Sequence, residues 1–325
     1  MPKFNTKHVF AVILVGGKGK RLRPLSTDAK PKAFLSITKD GKTMFKKTLE
    51  RIKKLIPPED ILVSANKAHA KLVKRDFPAI KKENLILEPV SRNTAPAIGL
   101  AAMALKKKFI PRQKASSVKA GMNAAGSGFA QRSFTDPVMV IVPADQYIPD
   151  EGKYLKAIKD AVRFAAENDC LMILGLRPTY PATGFGYVKI KAKTSAKAKD
   201  IYKVDKFVEK PDLSAAKRYM RDGRYFWNAG AFIFRTNSIL KAIRAHAPAI
   251  YSLLMQAELS NLSRIYAKFP DISIDYAVME HAENIYCVKG GYRWWDIGNF
   301  DSLKEILKRE ARDFVEKNGK VIKVL

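Results

Sequence analysis

The amino-acid sequence predicts an α/β fold built on a doubly wound sheet that is mixed but mostly parallel. Residues 9–15 and 138–142 are continuous apolar runs, which suit strands buried on both faces of a parallel sheet. Between residues 9 and 87 the pattern alternates strand, helix, strand, helix, strand, as βαβ units do. With 325 residues the chain can bury a sizeable core. Ligands of such sheets bind at the carboxyl ends of the strands.

The first strand runs directly into a glycine-rich basic loop. Gly16, Gly17 and Gly19 allow a sharp turn and let backbone N–H groups approach an anion. The loop lacks the Gly-x-x-x-x-Gly-Lys-Ser/Thr spacing of a P-loop, and Leu22 stands where the dinucleotide fingerprint needs a small residue. The loop therefore predicts a phosphate site of another type. For the glycines alone, a basic surface turn after a buried strand is the alternative.

The next elements are predicted from hydrophobic periodicity and turn residues. Residues 43–56 place their apolar side chains on one side of a helix, which Pro57 and Pro58 end. They are followed by a strand at 60–65, a helix at 67–77 and a strand at 84–87.

A polar segment follows the third strand and leads into a helix predicted over 97–108. Asn93 and Thr94 precede a proline, which is ordinary chemistry for the start of a helix. Helix-start chemistry does not explain Glu88 and Arg92 at the end of a buried strand. These two residues are therefore candidates for ligand binding.

The middle of the chain predicts an insertion and then a candidate catalytic acid. Residues 110–137 are rich in Ala, Ser, Gly and Lys without clear periodicity, which predicts a flexible insertion in a single domain of residues 1–325. Asp145 follows the strand at 138–142, where a doubly wound sheet places functional carboxylates. A turn or a helix cap is the alternative role for this aspartate.

The second half of the chain continues with strands and helices. Predicted helices cover 153–167, 239–254, 273–280 and 302–315, and predicted strands cover 170–175, 204–208, 285–288 and 320–325, with a further strand inside 225–234. Residues 308–325 are predicted to be a short C-terminal extension.

Several segments together resemble the motifs of the sugar-1-phosphate nucleotidylyltransferases. They are GGKGKRLRPLS from Gly16 followed by Pro31-Lys32, PADQYI from Pro143, TGFGY from Thr183, EKP from Glu209, NAG from Asn228 and WWDIG from Trp294. The string EPVSRNTAPAI, residues 88–98, resembles a motif of the mannose-1-phosphate guanylyltransferases. The resemblance extends from residue 9 to about residue 307, and Gln146 replaces the usual His. It implies a Rossmann-like, GT-A-like nucleotidyltransferase fold.

The resemblance implies an enzyme that makes GDP-mannose and pyrophosphate from GTP and mannose 1-phosphate with Mg²⁺. The implied catalytic residues are Arg21 and Lys32, and the implied metal ligands are Asp145 and Asp296. The implied nucleotide site contains Leu14, Gly16, Gly17, Gly19, Glu88, Arg92, Asn93 and Thr94. The implied sugar-phosphate site contains Thr183, Gly184, Gly186, Tyr187, Glu209, Lys210, Asn228 and Gly230.

Two alternatives to this function stay open. The chain could use another nucleotide or hexose 1-phosphate, or it could be a non-catalytic regulatory homologue that binds a nucleotide sugar. A regulatory homologue would be expected to lose Arg21, Lys32, Asp145 or Asp296, and the sequence retains all four. The enzyme is therefore favoured.

Composition also bears on the binding partners of the protein and on its cellular compartment. The net charge of +29 is compatible with binding to nucleic acid or to an anionic membrane, and equally with a lysine-biased composition, which we favour. The lysines are spread along the chain and are not interleaved with aromatic residues, so we expect neither nucleic acid nor a membrane as a partner. Cys170 and Cys287 lie in apolar stretches and are predicted to be reduced core residues of a cytoplasmic protein. The family resemblance also implies a homodimer.

Overall fold

The computed structural model describes residues 7–17, 19–120, 136–193, 200–310, 314–317 and 320–324. The strands are β1 Val9–Val15, β2 Ile61–Asn66, β3 Leu85–Glu88, β4 Val138–Pro143, β5 Gln146–Tyr147, β6 Leu171–Leu176, β7 Tyr187–Lys193, β8 Ile201–Val208, β9 Tyr225–Arg235, β10 Ile285–Gly290, β11 Trp295–Asp296, β12 Phe314–Lys317 and β13 Lys320–Lys323. The helices are α1 Met44–Lys53, α2 Ala70–Asp76, α3 Thr94–Ala120, α4 Glu151–Glu167, α5 Leu213–Asp222, α6 Thr236–His246, α7 Pro248–Gln256, α8 Leu262–Tyr266 and α9 Phe300–Arg309.

A nine-stranded sheet organises the described residues, in the order β3-β2-β1-β4-β9-β6-β10-β8-β7. Strands β1 to β4 are mutually parallel, and β6 and β10 continue in the same direction. Strand β9 is antiparallel to both β4 and β6, and β8 is antiparallel to β10 and β7. In this described sheet, seven strands therefore run one way and two run the other. The predicted fold class, doubly wound and mixed but mostly parallel, is confirmed.

Both faces of the sheet are covered by helices, because successive side chains of a strand point to opposite sides. Ala11 and Ile13 of β1 belong to the core under α1, α2 and α4, whereas Phe10 and Val12 belong to the core under α3, α6 and α7. Burial of one large apolar side chain contributes roughly 1.5–3 kcal/mol, so a continuous apolar strand such as β1 is a strong anchor for the loop that follows it.

A third, smaller core supports the glycine loop. It joins Leu22 and Leu25, which follow the glycines, to Leu303, Ile306 and Leu307 of α9. All five side chains are fully buried. The segment after β1 is therefore held against the C-terminal helix and is not a free surface turn.

Four predicted helices differ from the structure. Helix α3 continues to Ala120, so the first part of the predicted insertion 110–137 is helical, and 121–135 lie outside the described residues. The helix predicted over 239–254 is two helices, because Pro248 has no N–H group to continue α6 and instead begins α7. The segment at 273–280 contains a π-helical turn, Asp275–Met279. Helix α9 ends at Arg309, and β12 occupies part of the predicted helix 302–315.

Both cysteines are free and buried in the core, as predicted. None of the helices in the described part of the chain combines the length and the apolar character needed to cross a membrane.

We expect Gly175→Ala to destabilise the fold by about 1–3 kcal/mol, the usual cost of overpacking a core. A methyl carbon at Gly175 would overlap the sulfur of Cys287 on the neighbouring strand and would lie 3.2 Å from Phe226 Cβ. Urea unfolding measures the loss, and adding Cys287→Ala should recover part of it, relative to Cys287→Ala alone.

Gly152→Ala is the matched control for this substitution. Gly152 lies in the first turn of α4, and no heavy atom lies within 4 Å of a Cβ added there. The control should be neutral or slightly stabilising. A Gly175→Ala variant as stable as this control would contradict the packing described here.

Candidate active site

A cavity of about 600 Å³ opens at the carboxyl ends of the parallel strands. Leu14 and Val15 end β1 there, Asn66 ends β2, Glu88 ends β3 and Pro143 ends β4. The predicted site residues that line this cavity are Leu14, Gly16, Gly17, Lys32, Glu88, Asn93, Thr94, Asp145, Gly230 and Asp296. The cavity thus gathers members of the predicted catalytic, nucleotide, sugar-phosphate and metal sets.

The glycine loop uses backbone conformations that favour glycine. Gly17 has φ +86° and Gly19 has φ +59°, both in the left-handed region. A Cβ at Gly19 would lie 3.1 Å from both Ser26 Oγ and Lys32 Cβ. Ser26 Oγ donates a hydrogen bond to Gly19 O at 2.6 Å, which closes the loop onto the following segment. This closure places the loop beside Lys32.

Lys32 lies between two carboxylates that come from distant parts of the chain. Its Nζ is 2.8 Å from Asp145 Oδ2 and 3.2 Å from Asp296 Oδ1. The side chains of Lys32 and Asp145 are 13% and 16% exposed, and that of Asp296 is 30% exposed. The antiparallel pairing of β5 with β11 sets Gln146 opposite Asp296, and this register brings the two aspartates together.

The electrostatics of this group are dominated by burial and by the charges of its own members. Burial lowers the pKa of Lys32, but Asp145 and Asp296 raise it by a larger total amount, so the net shift is upward and the ammonium is kept. Burial raises the pKa of Asp145, the charge of Lys32 lowers it, and Asp296 raises it. With both carboxylates ionised, two negative charges face one positive charge. The remaining negative charge favours a second cation.

Arg21 lies next to the turn that follows β11. A Cβ at Gly298 would lie 3.4 Å from Arg21 Nη2 and 3.0 Å from Asp296 Oδ2, so this glycine lets both groups approach the backbone. Arg21 is exposed and stands outside the lining of the cavity, at its edge near Asp296. Its guanidinium is therefore available to an anion bound at the glycine loop.

The predicted sugar-phosphate residues form a second charged group. Lys210 Nζ donates to Glu209 Oε1 at 2.6 Å, and Asn228 Nδ2 donates to Asp275 Oδ1 at 2.9 Å. Gly230, with φ +68°, donates its N–H to Asn228 Oδ1 at 3.1 Å. Burial lowers the pKa of Lys210, the bond to Glu209 raises it, and the net shift is upward. Asp275 and Gly230 line the cavity, so this group adjoins the predicted nucleotide-binding residues there.

Gly186 allows Glu209 to pack against the backbone, because a Cβ there would lie 2.5 Å from Glu209 Oε2. Gly186 and Tyr187 are buried, whereas Thr183 and Gly184 are exposed on the preceding loop. Phe185 packs edge-on against Trp227 and Trp294, with ring centroids 5.2 Å and 5.0 Å apart. This loop thus meets the Glu209 group and an aromatic cluster without lining the main cavity.

Gln146, which replaces the usual His of the family motif, has a definite structural partner. Its Nε2 donates to the carbonyl of Ala229 at 2.7 Å, and the side chain is buried. The bond ties β5 to β9, next to Asn228 and Gly230. The glutamine therefore connects β5, which follows Asp145, with the predicted sugar-phosphate-binding residues Asn228 and Gly230.

Glu88, one of the predicted nucleotide-binding residues, lines the cavity at the end of β3. Its Oε1 accepts from Ser64 Oγ at 2.8 Å and its Oε2 accepts from Tyr266 OH at 2.9 Å. Burial raises the pKa of Glu88, and the two hydrogen bonds oppose that shift. Each carboxylate oxygen accepts more than one hydrogen bond, so both retain capacity for a ligand.

The start of α3 is joined to the segment that carries Asp275. Thr94 Oγ1 accepts from Ile274 N at 2.8 Å, and Ala95 N donates to Ile272 O at 3.2 Å. The N–H of Thr94 is bound by Asn93 Oδ1 at 3.0 Å. Arg92 is directed elsewhere: it donates to the carbonyl of Ala267 and does not line the cavity.

Asp275 is the functional candidate that sequence reasoning missed. Its pKa is raised to about 7, first by burial and then by the charge of Glu209, while Lys210 opposes the shift. The sequence predicts only a helix over 273–280, yet Asp275 is the one acid within residues 273–279 and is flanked by Ile274 and by Ala277–Met279. An ionisable residue on an otherwise apolar turn is a candidate for a functional site.

Comparisons with known proteins agree with this arrangement. The nucleotidyl transferase family model matches residues 10–111 and 110–313. The chain is 36% identical over 313 residues to a mannose-1-phosphate guanylyltransferase of Salmonella muenchen, covering 93% of this chain and 60% of the relative. It is 36% identical over 311 residues to the mannose-1-phosphate guanylyltransferase RfbM of Salmonella typhimurium, covering 92% of this chain and 59% of the relative. The chain thus spans about 60% of the length of these curated relatives.

A solved structure from Thermus thermophilus, described as a mannose-1-phosphate geranyltransferase, matches with a TM-score of 0.75 and 32% identity. The match covers 92% of this chain and 79% of that chain. The architecture described above is therefore shared along most of the molecule.

We expect Asp275→Asn to change the pH dependence of stability. The folded pKa of about 7 lies above the ordinary value of 3.8, so the protonated carboxyl favours the folded state and that contribution is lost as pH rises towards 7. An asparagine cannot ionise. The free energy of unfolding of the variant minus that of the wild type should therefore increase from pH 5 to pH 8, as measured by urea unfolding.

Asp271→Asn removes an exposed acid from the same segment and controls for the change in net charge. A difference between Asp275→Asn and wild type that stays constant across this pH range would contradict the raised pKa.

Proposed function

The chain belongs to the nucleotidyl transferase family, and from this membership we propose that it makes GDP-mannose and pyrophosphate from GTP and mannose 1-phosphate. The observation that carries the proposal is the group of Lys32, Asp145 and Asp296 beside the glycine loop in a cavity of about 600 Å³. The names of the curated relatives support the choice of substrates.

The proposed reaction needs positioning and charge neutralisation more than covalent chemistry. A phosphate oxygen of the sugar phosphate attacks the α-phosphorus of GTP in line, and pyrophosphate leaves. Because both reactants are anions, cations must hold them together. Arg21 and the N–H groups of the glycine loop would bind the triphosphate, Lys32 would stabilise charge at the α-phosphate, and Lys210 would hold the sugar phosphate.

Asp145 and Asp296 fit a site for Mg²⁺. Mg²⁺ sites of this kind use one or two carboxylates and complete the coordination with phosphate oxygens and water. In this structure a cation already lies between the two carboxylates, namely the ammonium of Lys32. When bound, Mg²⁺ would supply charge stabilisation for the phosphoryl oxygens. We propose that Lys32 then leaves the carboxylates and turns towards the nucleotide.

Glu88 is the proposed reader of the base. The N1–H and 2-amino groups of guanine are adjacent donors that one carboxylate can accept together. Ser64 and Tyr266 would hold the carboxylate for this contact through the two hydrogen bonds that they donate. Leu14, the glycines and Asn93 would surround the nucleotide with backbone groups.

Assembly and location stay predictions. The family resemblance implies a homodimer, and sedimentation equilibrium of the purified protein would measure the assembly. The cytoplasmic location is predicted from the reduced cysteines.

The activity is tested by pyrophosphate release from purified protein with Mg²⁺, each nucleoside triphosphate in turn and a panel of sugar 1-phosphates. We expect the highest kcat/KM with GTP and mannose 1-phosphate. Inosine triphosphate, which lacks the 2-amino group, should be a poorer substrate than GTP, since a site loses affinity when its buried partner is left unpaired. Absence of turnover with every pair would favour a regulatory homologue instead.

Lys32→Met should lower kcat by roughly 10²–10³-fold, as loss of a group that stabilises transition-state charge does. The same variant should bind Mn²⁺ at least several-fold more tightly than wild type, because the competing ammonium is removed from between Asp145 and Asp296. Calorimetric titration with Mn²⁺ in the absence of substrates measures this second effect independently of turnover.

Two further variants serve as controls for the Mn²⁺ titration. Asp145→Asn should weaken Mn²⁺ binding, and Lys71→Met, which removes an exposed lysine of α2, should leave it unchanged. If Lys32→Met bound Mn²⁺ no better than Lys71→Met, the two carboxylates would not be the metal site.

A further inference from the structure

We propose that Asp275 determines sugar specificity, by accepting hydrogen bonds from hydroxyl groups of the hexose together with Glu209. The inference rests on the proposed function and adds a residue to it. It concerns the class of substrate, a hexose 1-phosphate, and the part of the cavity lined by Asp275 and Gly230.

The position of Asp275 carries the first part of the argument. It lies on the π-helical turn Asp275–Met279 and lines the same cavity as Lys32 and Asp145. Through Asn228 it also belongs to the group that contains Glu209 and Lys210. Asp275 therefore stands where the nucleotide cavity meets the sugar-phosphate residues, which is where a sugar joined to both would lie.

The charges carry the second part. Glu209 is 7% exposed at its side chain, and Asp275 is close enough for the charge of Glu209 to raise its pKa. Lys210 is the cation bonded to Glu209, so two acids share one base. Holding two carboxyl groups side by side, with the Glu209 side chain buried and Asp275 half-buried, costs free energy, and packing alone gives no reason for it. Donors from a ligand would offset that cost.

The chemistry of sugars supplies such donors. Neighbouring hydroxyl groups of a pyranose present two O–H donors a short distance apart, and carboxyl oxygens are strong acceptors. Lys210, bonded to Glu209, is the proposed anchor of the sugar phosphate. A hexose whose phosphate lies at Lys210 would place the hydroxyls nearest its anomeric carbon towards Glu209 and Asp275.

Asp275 also orients the amide of Asn228. Asn228 Oδ1 accepts from Gly230 N, and its Nδ2 donates to Asp275 Oδ1. The amide is thereby held in one orientation. Loss of the carboxylate would remove both a direct acceptor and this restraint. Both changes are expected to weaken binding of the hexose.

The charged groups around Asp275 limit what else it could do. The negative charge of Glu209 and the positive charge of Lys210 face it. Glu280, one residue past the same turn, accepts from the backbone N–H of Glu209 at 2.8 Å and holds that residue in place. Lys32, the proposed cation at the α-phosphate, is bonded to Asp145 and Asp296 instead. Asp275 is thus a binding and positioning group, outside the reacting atoms.

The test separates sugar binding from nucleotide binding. Asp275→Asn is nearly isosteric, and calorimetry compares its affinity for GDP-mannose and for GDP with those of wild type. We expect the affinity for GDP-mannose to fall roughly tenfold or more, and the affinity for GDP to change less than about twofold. In steady state, KM for mannose 1-phosphate should rise while KM for GTP is nearly unchanged.

Deoxy analogues identify the contact in the wild type as well. A deoxy mannose 1-phosphate that lacks the hydroxyl group donating a hydrogen bond to Asp275 should be a poor substrate of the wild type. The same analogue should lose little further kcat/KM in Asp275→Asn, since the partner is already gone. Glucose 1-phosphate, an epimer, should be discriminated less by the variant than by wild type.

Asp271→Asn is the matched control, because it removes an acid from the same segment outside the cavity, and it should behave as wild type. If Asp275→Asn does not fold, Asp275→Glu is the second variant, because it keeps the charge and displaces it by one methylene. It should likewise lose affinity for GDP-mannose but not for GDP. Equal losses for GDP and GDP-mannose, or no loss for either, would overturn the role of Asp275. A wild type inactive with every hexose 1-phosphate would instead overturn the proposed function.

Discussion

The contact of one ammonium with two carboxylates is the interaction on which the rest of the site depends. Asp145 follows the central strand β4, Asp296 comes from β11 far along the chain, and Lys32 lies on the segment after β1. Unpaired, the two half-buried carboxylates would repel each other, and Lys32 offsets that repulsion. The two-residue pairing of β5 with β11 and the small core of Leu22 with α9 both hold this contact in place. Helix α9 is thus part of the architecture of the site.

Much of the fold follows from patterns that are local in sequence. The apolar runs of β1 and β4 and the alternation of strands with helices suffice to predict the parallel half of the sheet. They do not predict where β9 lies in the sheet, because its antiparallel insertion between β4 and β6 depends on long-range pairing. The length of α3 was missed because Ala, Ser and Lys around residues 110–120 form no amphipathic stripe. The first residues of β12 were read as the end of a helix for a related reason, since short strands give weak periodic signals.

The site was predictable where a motif specifies both residue type and spacing. Lys32, Asp145 and Asp296 were named from separate motifs, and the structure brings them together. Arg92 shows the limit of such inference, because a motif gives no side-chain direction and the guanidinium is bonded to the carbonyl of Ala267. Asp275 shows the opposite limit: its importance arises from neighbours at Asn228 and Glu209, which are distant in sequence.

The hydrogen bond from Ile274 N to Thr94 Oγ1 has a consequence for communication across the cavity. It joins the start of α3 to the residue before Asp275, so two segments that line the cavity and are distant in sequence are connected directly. A displacement of the α3 start would therefore reach Asp275 through this contact. Coupling of this kind is reciprocal, so a ligand that displaced either segment would change the affinity at the other by the same factor.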